Sequence, residues 1–265
     1  MFLFSGFAAP GALDVPVIAE TGGLNALVAD SSALPEQLTD DVVSSAFRSA
    51  GQRCSALRIL LLPEDAADRV IDMLAGAAAE LRLGDPARLC TDVGPVIDEA
   101  ARERLAAHAA AMTAQAKPLF QAPLGEASPR GVFFAPQAFE IAHASVLTRE
   151  VFGPILHIAR YHPNRLRQAL EGVTAAGYGL TLGVHSRIDS FIKEVRRLAP
   201  VGNTYVNRNI VGAVVGSQPF GGEGLSGTGF KAGGPHYLLR FAVERALTVN
   251  TTAAGGNASL VSLAE

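Results

Sequence analysis

Short apolar runs alternate with longer stretches of helical periodicity along most of this 265-residue chain. Four of the apolar runs have the length of buried strands, at 24–30, 58–62, 155–159 and 180–185. Between them, apolar side chains recur at three- and four-residue steps and predict helices at 35–50, 63–81, 98–115, 166–176 and 190–198. This alternation predicts an α/β fold with a mostly parallel sheet flanked by helices.

The segments between these elements carry weaker signals. Proline and glycine predict an irregular connection at 118–129. We predict further strands at 15–20, 132–134, 138–141 and 203–207, a helix at 235–247 and a tail at 248–265 that begins as a strand.

Composition excludes several classes of function. A net charge of −3 without runs of like charge argues against a nucleic-acid or anionic-membrane surface. No apolar run approaches the length of a membrane span, and no basic residue precedes Arg48 to make a signal peptide of the apolar residues 1–10. The two cysteines, 36 positions apart, and the scattered histidines predict no metal site and no disulfide framework. We therefore expect a cytoplasmic protein.

Cys54 lies between a predicted helix and a predicted strand, where a side chain can be presented to solvent. Positive charge favours a thiolate, so the neighbouring Arg48, Arg53 and Arg58 predict that Cys54 is the reactive thiol. The alternative is a small buried hydrophobe, as most free cysteines are. Cys90 lies in a loop without a nearby base and is predicted to be a bystander.

Four short motifs occur in one order along the chain. They are E-T-G-G at 20–23, G-Q-R-C-S at 51–55, E-V-F-G-P at 150–154 and P-F-G-G at 219–222. They resemble the general-base, nucleophile, cofactor-ribose and late-glycine motifs of the aldehyde dehydrogenase superfamily. The amino-acid sequences around the first and last motifs are most similar to those of the glutamate semialdehyde (pyrroline-5-carboxylate) dehydrogenase module of bifunctional proline-catabolic enzymes.

The resemblance implies catalytic roles for Cys54 and Glu20. Cys54 would attack the aldehyde carbon, and Glu20 would activate the water that releases the acyl group from sulfur. Glu150 and Phe152 would hold the nicotinamide ribose of NAD. Taken singly, Glu20 also fits a solvated strand end, Glu150 a surface charge and Phe152 a core aromatic.

The resemblance also implies a site for a substrate α-carboxylate. Ser55 and the amides of Gly233 and Gly234 would bind the carboxylate, and Phe241 would pack against the carbon chain. Phe230 stands where the family pattern has proline, and a glycine-rich turn without a ligand is the alternative. The G-x-G-x-x-G match at 222–227 lacks a following helix and second βαβ half, so we reject it as a dinucleotide site.

The family's N-terminal half is not identifiable before Glu20. The resemblance thus predicts a catalytic domain at 15–247, without the cofactor-binding Rossmann domain or the oxyanion-hole asparagine. Residues 1–14 carry no motif that we can place in the family, and the tail at 248–265 would serve subunit association. We expect an incomplete NAD site, an inactive isolated chain, and a homo-oligomer or pairing with a cofactor-binding half.

Three other functions stay open. The chain could be a folded remnant or subunit that associates without turnover, or a different aldehyde dehydrogenase. It could also be a thiol hydrolase or acyltransferase, although no histidine precedes His108 to serve Cys54.

Overall fold

A computed structural model describes residues 17–125, 131–214, 216–250 and 252. Its centre is a seven-stranded sheet in the order β3-β4-β5-β2-β1-β7-β8. The strands, with the short pair β6 and β9, are β1 (Asn25–Ala29), β2 (Leu57–Pro63), β3 (Lys117–Gln121), β4 (Gln137–Ile141), β5 (Ile155–Tyr161), β6 (Tyr178–Gly179), β7 (Thr181–His185), β8 (Asn203–Val206) and β9 (Glu223–Gly224). Only β3 runs antiparallel to its neighbour within the large sheet, so the predicted fold class is confirmed.

Helices connect the parallel strands and cover both faces of the sheet. They are α1 (Pro35–Phe47), α2 (Glu64–Ala79), α3 (Glu99–Gln115), α4 (Leu166–Thr174) and α5 (Asp189–Leu198). The crossover from β1 to β2 runs in one direction across the sheet, and the crossover from β5 to β7 runs in the other. Because such crossovers are right-handed, α1 lies on one face and α4 and α5 on the other. Helix α2 packs against α1 and shares its face.

Local signals set the helix ends. Pro35 occupies the first turn of α1 and Glu36 lies at the positive end of its dipole. The side chain of Asp98 caps α3 by accepting a hydrogen bond from the Ala101 amide at 2.6 Å. All residues of β1 and β2 are buried, as expected for central parallel strands covered on both faces.

Several sequence predictions are wrong in the connecting segments. In place of an irregular connection, β3 extends the sheet as an antiparallel edge strand, where Pro118 is tolerated because one side of an edge needs no ladder bonds. Residues 132–134 form no strand, although the Val96 amide donates to Val132 O at 2.8 Å. Residues 17–19 likewise form no strand, and Glu20 makes a single bridge to Gly227.

The predicted helix at 235–247 is also wrong. Only a short 3₁₀ turn, Tyr237–Phe241, forms there, and residues 242–250 are irregular and exposed. The large apolar side chains of this segment are exposed, and no other described part of the chain packs on them to stabilise a helical face. Residues 248–250 form no strand; residues 1–14 and most of the predicted tail lie outside the described residues.

No helix in the described ranges is long and apolar enough to cross a membrane. Across those same ranges, no group of three or more histidine, cysteine or acidic side chains is arranged to hold a metal ion.

Candidate active site

The segment that carries Cys54 follows a tight reversal at the end of α1. Ser49, Ala50 and Gly51 all adopt left-handed backbone conformations, with φ of 56°, 52° and 63°. Such angles are strained for Ser49 and Ala50 and are found mainly at functional sites. A Cβ at position 51 would strike the carbonyl of Gly153, so glycine is required for this close approach.

Asn25 fixes the main chain at Cys54. Its Nδ2 donates to the carbonyls of Cys54 at 2.6 Å and Ala56 at 2.9 Å, and its Oδ1 accepts from the Thr181 amide at 3.1 Å. The side chain is buried and joins the first residue of β1, the nucleophile segment and β7. Sequence reasoning missed this role, although an asparagine opening a fully apolar strand was a signal for it.

The environment of Cys54 contradicts the prediction that nearby arginines favour its thiolate. Burial raises the pKa of the Cys54 thiol, and the negative charges of Glu150 and Glu20 raise it further. The backbone amides of Ser55 and Cys54 lower the pKa of the thiol, but by less than burial and the two carboxylates raise it. The arginine argument failed because burial of the thiol outweighs the favourable charges near it, and because Arg58 is paired with Glu150, as described next.

Arg58 is fully buried and binds four acceptors. Its Nη1 donates to the carbonyls of Gly51 at 2.7 Å and Gly153 at 2.9 Å. Its Nη2 donates to the Arg53 carbonyl at 3.2 Å and to Glu150 Oε1 at 3.0 Å. Sequence reasoning treated Arg58 only as a nearby charge, and the signal that could have corrected it was an arginine inside an otherwise apolar strand.

Glu150 is held between Arg58 and the loop after Glu20. Its Oε2 accepts a hydrogen bond from the Gly23 amide at 3.3 Å. Burial raises the pKa of the Glu150 carboxyl, while Arg58 and the Gly23 amide oppose the rise. The Phe152 ring lies 5.4 Å from the Arg58 guanidinium carbon and is 48% exposed, so one apolar face stays accessible.

The Glu20 carboxylate lies against the late glycine loop. The Gly222 amide and the charge of Lys231, whose Nζ donates to the Gly221 carbonyl at 2.8 Å, favour the ionised carboxylate. Although Glu20 as a whole residue is exposed, partial desolvation of its carboxyl outweighs these effects and raises its pKa. A raised pKa makes Glu20 a stronger base once it is ionised, which suits proton abstraction from water.

Cys54, Ser55 and Gly233 line one cleft of about 630 Å³. Its other lining residues are Gln52, Arg53, Ala213, Gly216, Gln218, Phe220 and Ala232. Gln52, Arg53 and Phe220 belong to the motifs, whereas sequence reasoning assigned none of the other four to the site. Another cleft, of about 760 Å³, lies beside α4 and contains none of the predicted site residues. We therefore take the cleft at Cys54 as the candidate active site.

Gly234 and Phe241 are placed differently from the other predicted substrate residues. Neither belongs to the lining of the Cys54 cleft as far as the chain is described. The Gly234 amide donates to the Lys231 carbonyl at 3.0 Å and is therefore already engaged in a turn. Phe241 is 58% exposed and stacks edge-on against Tyr237 at 5.7 Å.

The G-x-G-x-x-G segment at 222–227 has the wrong context for a dinucleotide loop. Its β9 portion pairs antiparallel with β6, and no helix follows it. A phosphate site of that type requires the N-terminus of a helix directly after the glycines.

Comparison with known proteins fits this arrangement of motifs. The pattern of the aldehyde dehydrogenase family matches residues 8–246. The chain belongs to this family.

Curated relatives refine the position of the chain among aldehyde dehydrogenases. It is 55% identical over 236 residues to the bifunctional protein PutA of Salmonella typhimurium, covering 87% of this chain and 18% of the relative. It is 38% identical over 225 residues to 1-pyrroline-5-carboxylate dehydrogenase of Geobacillus thermodenitrificans, covering 84% of this chain and 43% of the relative. This aldehyde dehydrogenase chain therefore spans less than half the length of the relatives it matches.

Solved aldehyde dehydrogenase structures share the fold. A mutant of proline utilization A from Bradyrhizobium japonicum matches with a TM-score of 0.88 at 60% identity, covering 94% of this chain and 25% of that one. A 1-pyrroline-5-carboxylate dehydrogenase from Thermus, solved with bound NAD, matches with a TM-score of 0.77 at 35% identity, covering 84% and 43%.

Proposed function

We propose that this chain is the catalytic-domain portion of an NAD-dependent L-glutamate γ-semialdehyde (pyrroline-5-carboxylate) dehydrogenase, which oxidises the aldehyde to glutamate in proline catabolism. The observation that carries the proposal is the cleft in which Cys54 and Ser55 face Gly233. The name of the Geobacillus relative, 1-pyrroline-5-carboxylate dehydrogenase, points to the same substrate.

Cys54 and Glu20 divide the covalent chemistry in this proposal. The Cys54 sulfur adds to the aldehyde carbon and the thiol proton passes to the carbonyl oxygen, which gives a thiohemiacetal. Bound NAD supplies the hydride acceptor for oxidation at that carbon. Glu20 takes a proton from the water that attacks the resulting acyl–sulfur bond, and Cys54 departs as the leaving group.

The residues present suit one end of the cofactor. Glu150 uses one oxygen for Arg58 and the other for the Gly23 amide, but a carboxylate offers about four acceptor positions. It can therefore also accept hydrogen bonds from ribose hydroxyls, while Phe152 offers its exposed face to the sugar or the nicotinamide. We propose that the isolated chain binds NAD weakly, because these two residues contact only the nicotinamide end.

The α-carboxylate of the substrate would bind at Ser55 and Gly233. The Ser55 hydroxyl and the Gly233 amide make no hydrogen bond within the described parts of the chain, so both can donate to a ligand. Gly234 would contribute only after its turn with Lys231 opens. Phe241 would have to move toward the cleft to pack against the carbon chain.

The exposed C-terminal segment fits an assembly role. Its large apolar side chains are solvent-exposed: Leu238, Leu239, Phe241, Val243, Leu247 and Val249. Burying them against a second copy or a cofactor-binding half would remove much apolar surface from water. We also keep the cytoplasm as the proposed location, since neither Cys54 nor Cys90 is in a disulfide.

A protection experiment tests the substrate. Cys54 is alkylated with iodoacetamide in a Cys90→Ser background, with pyrroline-5-carboxylate or with butanal, an aldehyde lacking the carboxylate. We expect pyrroline-5-carboxylate to slow Cys54 alkylation at concentrations where butanal does not, and Ser55→Ala to reduce this difference. Equal protection by both aldehydes would contradict the proposed substrate.

A further inference from the structure

Arg58 connects two segments that are far apart in sequence. One is the turn before Cys54, through the carbonyls of Gly51 and Arg53; the other is the 150–153 segment, through Glu150 and the Gly153 carbonyl. The same guanidinium therefore binds the nucleophile turn and the proposed cofactor-ribose motif at distances of 2.7–3.2 Å.

A buried guanidinium at this point is costly unless its hydrogen bonds are well made. The Arg58 side chain is 1% exposed and that of Glu150 is 13% exposed, so the Arg58 charge is cut off from bulk water and the Glu150 charge is only slightly solvated. Of the three guanidinium nitrogens, only Nε lacks a hydrogen bond among the described residues. An apolar residue here would leave the Glu150 carboxylate and three carbonyls without this donor, so the arginine does more than fill the core.

Lysine cannot reproduce the arrangement. The guanidinium is planar and presents its donors in a fixed fork, whereas an ammonium is a single point charge with three donors. In this site the fork directs Nη1 to two carbonyls and Nη2 to a carbonyl and a carboxylate. Replacing Arg58 by lysine keeps the charge but loses the geometry, which makes the two effects separable.

We propose that Arg58 is a positioning residue that holds the Cys54 turn and the 150–153 segment in one fixed arrangement. The roles of Cys54 and Glu150 in this inference rest on the proposed function, but the restraint on the two segments does not. Glu150 carries the restraint one step further, because its second oxygen accepts from the Gly23 amide, three residues after Glu20. One arginine thus sets the relative placement of the nucleophile, the ribose motif and the loop of the base.

Hydrogen exchange measured by mass spectrometry tests this restraint without requiring turnover. The variants are Arg58→Lys and Glu150→Gln, each in the full chain. Arg160→Lys is the matched control, because Arg160 is also a strand arginine with carboxylate partners, Glu140 and Asp68, but touches no site residue. Circular dichroism and a cooperative thermal transition establish that each variant is folded.

We expect Arg58→Lys to accelerate exchange roughly tenfold or more at amides of both 49–56 and 150–155, as loss of charged hydrogen bonds predicts. Strand β4 should exchange as before, and Arg160→Lys should leave both segments unchanged. Acceleration in only one segment, or equal acceleration throughout the chain, would overturn the proposal.

Glu150→Gln keeps the proposal testable if Arg58→Lys does not fold. It removes one charged acceptor and leaves Gly51, Arg53 and Gly153 on the guanidinium. We expect faster exchange at 150–155 and 22–24, with 49–56 nearly unchanged. Unchanged exchange at both 150–155 and 22–24 would overturn the inferred chain of contacts. Neither outcome depends on the substrate, so failure here is distinguishable from failure of the proposed function.

Discussion

Replacing Asn25 by alanine should destabilise the protein and loosen the Cys54 segment together. The substitution removes two donors, to Cys54 O and Ala56 O, and the acceptor of the Thr181 amide. Asn25 is 1% exposed, so water cannot replace these partners without entering the core. Three hydrogen bonds at about 1 kcal/mol each, with a buried N–H left unpaired, predict a loss of about 3–5 kcal/mol of unfolding free energy.

Urea denaturation followed by circular dichroism measures this loss. Asn164→Ala is the control, because Asn164 is exposed and its side chain makes no hydrogen bond in the described ranges. The control should change the unfolding free energy by no more than about 0.5 kcal/mol. Alkylation of Cys54 should also accelerate in Asn25→Ala under conditions where the variant is folded. A loss below about 1 kcal/mol together with unchanged alkylation would refute the reasoning.

Three further predictions concern charge and the cofactor. Glu150→Gln should shift the pH profile of Cys54 alkylation to lower pH, because the Glu150 charge raises the pKa of the thiol. The unfolding free energy should fall as the pH drops from about 6.5 toward 3, by up to roughly 1.4 kcal/mol per pH unit from His157, whose pKa burial lowers to about 3. Calorimetric titration of the isolated chain with NAD should show weak binding, and pyrroline-5-carboxylate should yield no appreciable NADH.

Each of these has a control and a contrary outcome. For the thiol, Glu223→Gln changes an exposed charge and should leave the Cys54 profile unchanged; a shift to higher pH in Glu150→Gln would contradict the electrostatics. For the pH dependence, the folded state disfavours protonated His157, so stability is present above the unfolded pKa and lost below it. His157→Gln should flatten the slope, and an unchanged slope would assign it to other groups. Micromolar NAD binding with steady turnover would show that the nicotinamide end alone suffices.

Motif order linked segments that the fold brings together, whereas the charges of sequence neighbours did not predict the pKa of the Cys54 thiol. Glu20 and Glu150 lie 130 positions apart in the sequence, yet the charges of both carboxylates raise the pKa of the Cys54 thiol. The arginine-based prediction for that thiol failed because nearness in sequence does not indicate where a guanidinium points. The Arg58 guanidinium pairs with Glu150 at 3.0 Å, and burial of the Cys54 thiol outweighs the attraction between Arg58 and the sulfur.

The substrate loop illustrates a second limit. Gly233 has a φ of 72° and lines the cleft, as a flexible glycine loop suggests. Its neighbour Gly234 has its amide bonded to Lys231 O. Composition predicts that the backbone of such a loop can approach a ligand, but only the folded turn decides which amide remains available.

The sequence alone determined the alternation of strands and helices, because apolar periodicity and helix-end residues act locally. It also determined the position of Cys54 between α1 and β2. The tertiary structure decided that 117–121 joins the sheet as an edge strand and that 235–247 does not form a helix, since both depend on the surface that a segment meets. It likewise decided the raised pKa of Cys54, because desolvation and long-range charge are properties of the folded chain.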